Sequence, residues 1–248
     1  VGSEMCIRDS VTIAVENGLV QPREPGRLNL ETPAGRVAVR YTTKGRKVRS
    51  VRLTNVPSFL HSSGLTVACP ELGGELQYDV AYGGNFYAII EPQDAYRDLE
   101  DLSAADIIRL SRVLRERINR DQRFSHPDDD RLSHMRHVMW TGAPRQPDSN
   151  GRNAVFYGDA AIDRSPCGTG TSSRMAQLTA RGELHEGDEF VHESYIGSRF
   201  RGRVEALTRV GDFPAIVPRI EGWARVYGHN LITVDPGDDP FWRGFVVT

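Results

Sequence analysis

The feature that most limits the architecture is a pattern that occurs twice. Residues 11–40 read as a short helix, a stop at Gly18-Leu19, a polar turn, Leu28-Asn29-Leu30, the turn Pro33-Ala34-Gly35 and the alternating strand Val37-Ala38-Val39. Residues 172–204 repeat that order: a helix, Gly182-Glu183-Leu184, a polar turn, Phe190-Val191, Ile196-Gly197-Ser198, then a strand from Phe200 to Val204. The copies lie about 160 residues apart, a spacing that suggests two similar halves and not an array of short repeats. A chain of 248 residues suffices for one large or two modest domains with real cores.

Between the copies the pattern is mostly strand. Val48, Val51 and Leu53 alternate with polar residues, and residues 64–68 and 75–90 add strands broken by glycines. Ser103-Ala104-Ala105-Asp106 reads as a capping box before a helix whose apolar line is Ile107, Leu110, Leu114 and Ile118. The far face of that helix is rich in arginine, interrupted by Asp106 and Glu116, and is expected to be solvated. Residues 121–131 are expected to form a linker or exposed loop, and residues 144–152 are the clearest turn-rich break. Near the end, Ala224-Arg225-Val226-Tyr227 and Leu231-Ile232-Thr233-Val234 read as strands. Strand content exceeds helix content throughout, which makes the chain α+β.

The chemistry concentrates in Asp163-Arg164-Ser165-Pro166-Cys167-Gly168-Thr169-Gly170-Thr171. Cys167 stands where a loop becomes a helix that stops at Gly182, a residue suited to a helix C-cap. Unpaired amides and the positive end of the dipole at a helix N-terminus favour thiolate. Gly168 and Gly170 allow close backbone approach, and amides in such a turn can cradle a carboxylate. Asp163 supplies a counter-charge for a cation. An acid–base thiol, an anion pocket and a carboxylate together suit a zwitterionic amino acid. On residue type alone, a cysteine before a helix is more often a small buried hydrophobe.

The motif DRSPCGTGT, followed by a short helix and Gly-Glu-Leu, resembles the second cysteine motif of the proline racemase family, which includes 4-hydroxyproline epimerases. Asp79-Val80-Ala81-Tyr82-Gly83-Gly84-Asn85-Phe86-Tyr87, Glu193-Ser194-Tyr195-Ile196-Gly197-Ser198 and the closing Asp238-Asp239-Pro240-Phe241 through Gly244-Phe245 resemble the family in the same order. The resemblance runs from about Val11 to the C-terminus. It implies two pseudo-symmetric β-rich halves, each wrapping a central helix across a cleft, a diaminopimelate-epimerase-like fold. The first half is then incomplete: residues 1–10 are a non-native leader, 11–120 the remainder of the N-terminal half, and 121–248 the C-terminal half. The last strands are free to return to the first half.

The resemblance also implies cofactor-independent inversion of proline or 4-hydroxyproline by two thiols, one removing and one returning the α-proton. Cys167 would be one of them. Gly168 and Thr169 would bind the substrate carboxylate through backbone amides, and Asp163 the ring ammonium. Tyr157 would face the ring, its hydroxyl favouring a hydroxylated substrate, with a purely structural tyrosine as the alternative. Gly83, Gly84 and Phe86 would form a pocket wall. The family's first motif, Cys-Gly-His-Gly or similar, belongs about eight residues before Val11. Cys6 lies closer and is followed by Ile7 and Arg8, so it reads as a chance cysteine and the chain as an inactive remnant. Family dehydratases, which act on 3-hydroxyproline, usually replace the second cysteine. Its presence here points to a racemase or epimerase.

Composition bounds the rest. A net charge of -2 gives no case for nucleic acid or an anionic membrane, and no apolar run approaches the ~20 residues of a spanning helix. Cys6, Cys69 and Cys167 are too scattered for a disulfide framework or zinc site, so no metal and a reducing cytoplasm are expected. Cys69 is expected to pack, and Trp140, Trp223 and Trp242 to anchor a core or interface. The expected partner is a small imino acid, with a homodimer implied by the resemblance. Three rivals remain: a diaminopimelate-type epimerase, a cysteine hydrolase drawing on a histidine such as His134, His137 or His192, and a proline- or hydroxyproline-binding protein without turnover.

Overall fold

The computed structural model describes residues 7–32 and 35–244. Cys6, the Pro33-Ala34 part of the expected turn, and Phe245 lie outside them. The first copy of the repeat is α1 (Ile7–Glu16), β1 (Arg27–Thr32), β2 (Gly35–Lys44) and β3 (Lys47–Thr54). The second is α3 (Gly168–Ala180), β12 (Glu189–Ser194), β13 (Arg199–Val210) and β14 (Phe213–Gly222). Each helix is followed by a glycine at positive φ, Gly18 at 67° and Gly182 at 75°, as a left-handed helix end requires. Each then runs into an antiparallel three-strand meander. The copies meet where β3 pairs antiparallel with β14, with Leu53 opposite Ile220.

Between them lie β4 (Ser58–Cys69), β5 (Gly74–Tyr82), β6 (Phe86–Ile90), α2 (Ala104–Asp121), the short strands β7 (Ser125–His126) and β8 (Asp129–Ser133), then β9 (Met135–Gly142), β10 (Gly151–Tyr157) and β11 (Ala161–Ile162). The main sheet runs β1-β2-β3-β14-β13-β12-β10-β9-β6-β5-β4, and β4 also pairs with β14. That last pairing, Ala215 with Phe59 and Ile216 with Ser58, closes the strands from β4 to β14 into a ring. Register shifts in β4 around Ser62 and in β13 around Ala206 bend those strands toward closure.

Two pairings in the ring are parallel, β6 with β9 and β10 with β12, and a parallel pair needs a crossover. The crossover helices take opposite sides. α2 packs on the outer face, where Ile107, Leu110, Leu114 and Ile118 join a core with Phe59, Tyr82, Phe86, Trp140 and Phe156. α3 runs inside, and ten of its thirteen residues are buried. A second apolar cluster joins the copies through Val11, Val39, Leu53, Met175, Phe200 and Ile220.

Several expectations need correction. The helix expected from Val11 begins at Ile7, because Ile7 and Val11 lie on one buried face and Thr12 Oγ1 donates to Arg8 O at 2.9 Å. Ser10 lies within this helix. The sheet is continuous across residue 121: β4, β5 and β6 share the ring with β9 to β14, since β6 pairs directly with β9. Residues 121–131 include β7 and part of an antiparallel hairpin with β8. Ser103 caps α2 as expected, accepting from Asp106 N at 3.1 Å. Its arginine face is not merely solvated, because Arg112 donates to Asp159 O at 2.6 Å and Arg117 pairs with Glu71 at 2.8 Å.

The strands expected at 224–227 and 231–234 are not formed: no described neighbour offers them a backbone ladder, and Tyr227, Leu231 and Ile232 stand exposed. Trp140 is a core anchor, with its indole N–H donating to Ser111 Oγ at 2.8 Å. Trp223 and Trp242 are exposed and anchor no core. Cys69 is buried packing, as its strand context implied.

Candidate active site

Cys167 is the N-cap of α3, held at φ 63° and ψ 126°. A non-glycine residue at such a φ is strained, and the loop before it supplies the restraint. Cys167 N donates to Ser165 Oγ at 3.1 Å, Asn153 Nδ2 donates to Pro166 O at 2.8 Å, and Thr171 N donates to Cys167 O at 2.8 Å. Thr171 Oγ1 also touches Pro166 O and, at 3.0 Å, His192 Nδ1. A Cβ on Gly170 would lie 3.0 Å from the Met139 methyl and 3.3 Å from Cys167 Sγ, so glycine keeps this turn free of tight contacts. Gly170 N donates to Sγ at 3.4 Å.

The thiol is fully buried, within a cluster of Ala81, Tyr87, Ile89, Met139 and Val155. Its Sγ lies 3.2 Å from the Tyr87 hydroxyl and 3.6 Å from Thr169 Oγ1, and those two hydroxyls are 2.5 Å apart. Burial pushes the thiol up to about 12, with the Asp163 charge adding to the rise; hydrogen bonds from Tyr87, Thr169 and the Gly170 amide pull the other way. This corrects the expectation that a helix N-terminus would favour thiolate. The helix end is present, but it sits inside a closed ring of strands where desolvation of the anion is the larger effect.

Asp163 stands on the same loop. Its Oδ1 accepts from Ser165 N at 2.8 Å and Ser165 Oγ at 2.9 Å, while the buried Oδ2 has no partner among the described residues. Burial raises this carboxyl, against the lowering effect of the Ser165 bonds and of Arg8 from α1. Gly168 and Thr169 open the helix, so their amides have no intrahelical acceptor. A Cβ added at Gly168 would meet nothing within 4 Å, which leaves room beside those amides. Thr169 directs its hydroxyl at Tyr87 and Cys167, so its backbone alone is available to an anion.

A cavity of about 1020 Å³ is lined by Gly84, Phe86, Arg115, Arg131, His137 and Tyr157, among others, and by none of Asp163, Cys167, Gly168 or Thr169. Tyr87 separates the two regions: its ring stacks on His137 at 4.9 Å and its hydroxyl reaches Cys167. His137 is held neutral, its pKa lowered to about 4 by burial, and its Nδ1 has no partner. The structure thus gathers Cys167, Asp163, Gly168 and Thr169 at one helix end, and sets Gly84, Phe86 and Tyr157 around the cavity. Gly83 belongs to neither group. A Cβ there would lie 2.3 Å from Thr169 O and 2.7 Å from Ser173 N, so its absence lets β5 approach the backbone of α3.

Sequence reasoning missed Tyr87 and the cavity face of His137. Strand alternation offered a signal for the first, because Phe86 faces the outer core with α2 and its neighbour Tyr87 must then face inward. Among the described residues no group of three or more His, Cys, Asp or Glu side chains converges as a metal site, and no helix is long and apolar enough to cross a membrane.

Comparison with known proteins converges on one group. A family model described as proline racemase matches residues 3–246. A 4-hydroxyproline epimerase of Brucella ovis is 58% identical over 238 residues, covering 96% of this chain and 71% of the relative. A hydroxyproline epimerase from Agrobacterium vitis, solved with bound trans-4-hydroxy-L-proline, superposes with a TM-score of 0.86 at 34% identity, over 96% of this chain and 68% of that one. A probable proline racemase from Agrobacterium radiobacter K84, solved with bound carbonate, gives 0.85 at 34% identity, over 96% and 69%. With the DRSPCGTGT loop, its capping cysteine and the strands that enclose the following helix all in place, the chain belongs to the proline racemase family.

Proposed function

We propose that this site acts on 4-hydroxyproline, with Cys167 as the acid–base thiol for one face of the α-carbon. The observation that carries the reading is the single loop that presents Cys167 Sγ, the unpartnered Oδ2 of Asp163 and the free amides of Gly168 and Thr169 together. A zwitterion fits it: the carboxylate on the two helix amides, the ring ammonium on Asp163, and the α-hydrogen toward the sulfur. Cys167 as thiolate takes the α-proton and becomes thiol; the carbanion is then reprotonated. Return from the same side regenerates the starting isomer, whereas inversion needs a second acid on the opposite face. Within these 248 residues only Cys167 lies in a matching cysteine motif, so we assign the chain exchange from one face and no sustained inversion.

A hydroxylated substrate over plain proline is supported by the relatives, one named 4-hydroxyproline epimerase and one solved with bound trans-4-hydroxy-L-proline. The free thiols Cys69 and Cys167 fit a reducing compartment.

The test is incubation with trans-4-hydroxy-L-proline in D2O, followed by proton NMR. The expected result is deuterium at the α-carbon with little of the inverted isomer, and loss of exchange in Cys167→Ser. Saturable binding without exchange would show a binding protein. Sustained inversion would show a second acid at work and end the one-face reading. Since burial pushes the Cys167 thiol up to about 12, exchange should climb about tenfold per pH unit between pH 7 and 10.

A further inference from the structure

Tyr87 is fully buried, and among the described residues its hydroxyl meets two groups, Cys167 Sγ at 3.2 Å and Thr169 Oγ1 at 2.5 Å. Thr169 Oγ1 is itself 3.6 Å from Sγ, so the three atoms form a closed triangle. Two hydroxyls and one sulfur can satisfy that triangle in two ways. When the sulfur is a thiolate, Tyr87 O–H donates to it and Thr169 O–H donates to the Tyr87 oxygen. When the sulfur carries its proton, S–H donates to the Tyr87 oxygen and Tyr87 O–H turns to Thr169. No proton leaves either hydroxyl; only the direction of donation changes. The ring of Tyr87 cannot drift, because it stacks on His137, which lies between it and the cavity.

We propose that Tyr87, with Thr169 behind it, is a positioning residue for Cys167, the hydroxyl pair reversing its hydrogen-bond direction as the thiol loses and regains a proton. The inference rests on the reading of Cys167 as an acid–base thiol. It explains how a sulfur enclosed by Ala81, Ile89, Met139 and Val155 can still change charge: each of its forms keeps a partner without moving. The other groups around it do not substitute for this. Asp163 opposes the anion, the Gly170 amide donates only to it, and His192 is occupied with Thr171. His137 faces the ring of Tyr87 and not its hydroxyl, and from α1 Arg8 and Asp9 act on Asp163.

The test reads the thiol and needs no substrate, so its failure is distinct from a failure of the epimerase reading. The 248-residue chain and its variants are treated with iodoacetamide at several pH values from 7 to 10, and alkylation of Cys167 is followed by peptide mass spectrometry. Tyr87→Phe keeps the ring and its stacking but removes the hydroxyl. It should slow Cys167 alkylation about tenfold at fixed pH, the effect of losing a hydrogen bond to the anion. Thr169→Val should slow it less, and Thr169→Ser, which keeps a hydroxyl, should restore the rate toward that of the parent. A purely structural tyrosine gives the opposite sign, since loosened packing exposes the sulfur and speeds alkylation. Equal or faster alkylation in Tyr87→Phe, or no modification of Cys167 in the parent up to pH 10, overturns the proposal. Urea unfolding of each variant confirms that a folded protein was compared.

Discussion

The two copies of the repeat lie side by side across the β3–β14 pairing, and their helices have different surroundings. α1 buries Ile7, Val11 and Thr12 and leaves Ile13 exposed, as an amphipathic helix on one face of a meander does. α3 has strands around it and is buried almost throughout, although its sequence GTGTSSRMAQLTA is small and polar, not apolar. Small side chains are what the enclosure demands: Gly83 and Gly202 approach α3 so closely that a Cβ at either would lie within 2.4 Å of a helix atom. Several polar side chains of α3 find partners within the helix or on the strands around it. Ser172 and Ser173 Oγ donate to the carbonyls of Gly168 and Thr169 at 2.9 and 3.0 Å, and Gln177 donates to Asp79 at 2.7 Å. The same helix–turn–meander order thus yields a half-exposed helix in one copy and an enclosed helix capped by a buried cysteine in the other. Closure by β4 makes the difference.

The comparison can be broken most forcefully at Gly83. Gly83→Ala drives a methyl into the α3 backbone, where no rotamer relieves it, and should destabilise the fold by at least about 3 kcal/mol in urea unfolding. A loss under about 1 kcal/mol would mean that the strands around α3 yield easily and that its enclosure is looser than the distances imply.

A smaller effect separates the copies by pH. His192, beneath the Cys167 loop, is fully buried, and burial followed by the nearby Arg174 charge lowers its pKa to about 3. In the unfolded chain a histidine titrates near 6.5. The folded pKa is the depressed one, so this stability is fully present above about pH 6.5 and is lost as pH falls toward 3. Hydrogen exchange followed from pH 7 to 4 should show protection falling first in α3, β10 and β12, with α1 and β1 to β3 less affected. Uniform loss across both copies would show that no acid-sensitive group distinguishes them. His137, lowered to about 4 by burial, adds to the same window.

The smallest effect sharpens what the copies share. Gly18 and Gly182 end their helices at φ 67° and 75°, and a Cβ at either meets no atom within 4 Å. Alanine there strains only the local backbone, so Gly18→Ala and Gly182→Ala should each cost about 1 kcal/mol, similar in both copies. A much larger loss at Gly182 would mean that the α3 end is tied to closure of the ring.

The periodic elements were legible because their signals are local. The helix line Ile107 to Ile118, the cap at Ser103, the strands β3 to β6 and the glycines after α1 and α3 are each set by neighbours a few residues away. The strands expected in the tail failed for the opposite reason: alternation in residues 224–234 creates the capacity for a ladder, but a strand exists only where another backbone pairs with it. Sequence order likewise does not reveal that β6 and β9, on either side of residue 121, are neighbours.

For the site, sequence alone determined which groups occur together on one loop. Asp163, Cys167, Gly168, Thr169 and Gly170 span eight residues, and their chemistry follows from a loop meeting a helix N-terminus. Tertiary structure decided the electrostatic sign and the partners. Cys167 is pushed toward thiol because closure of the ring removes its water, Gly83 proves to be a point of backbone contact, and Tyr87 and His137 arrive from strands some 80 and 30 residues away. Burial and partner geometry depend on which distant segments surround a group, and a linear pattern carries only the distances along the chain.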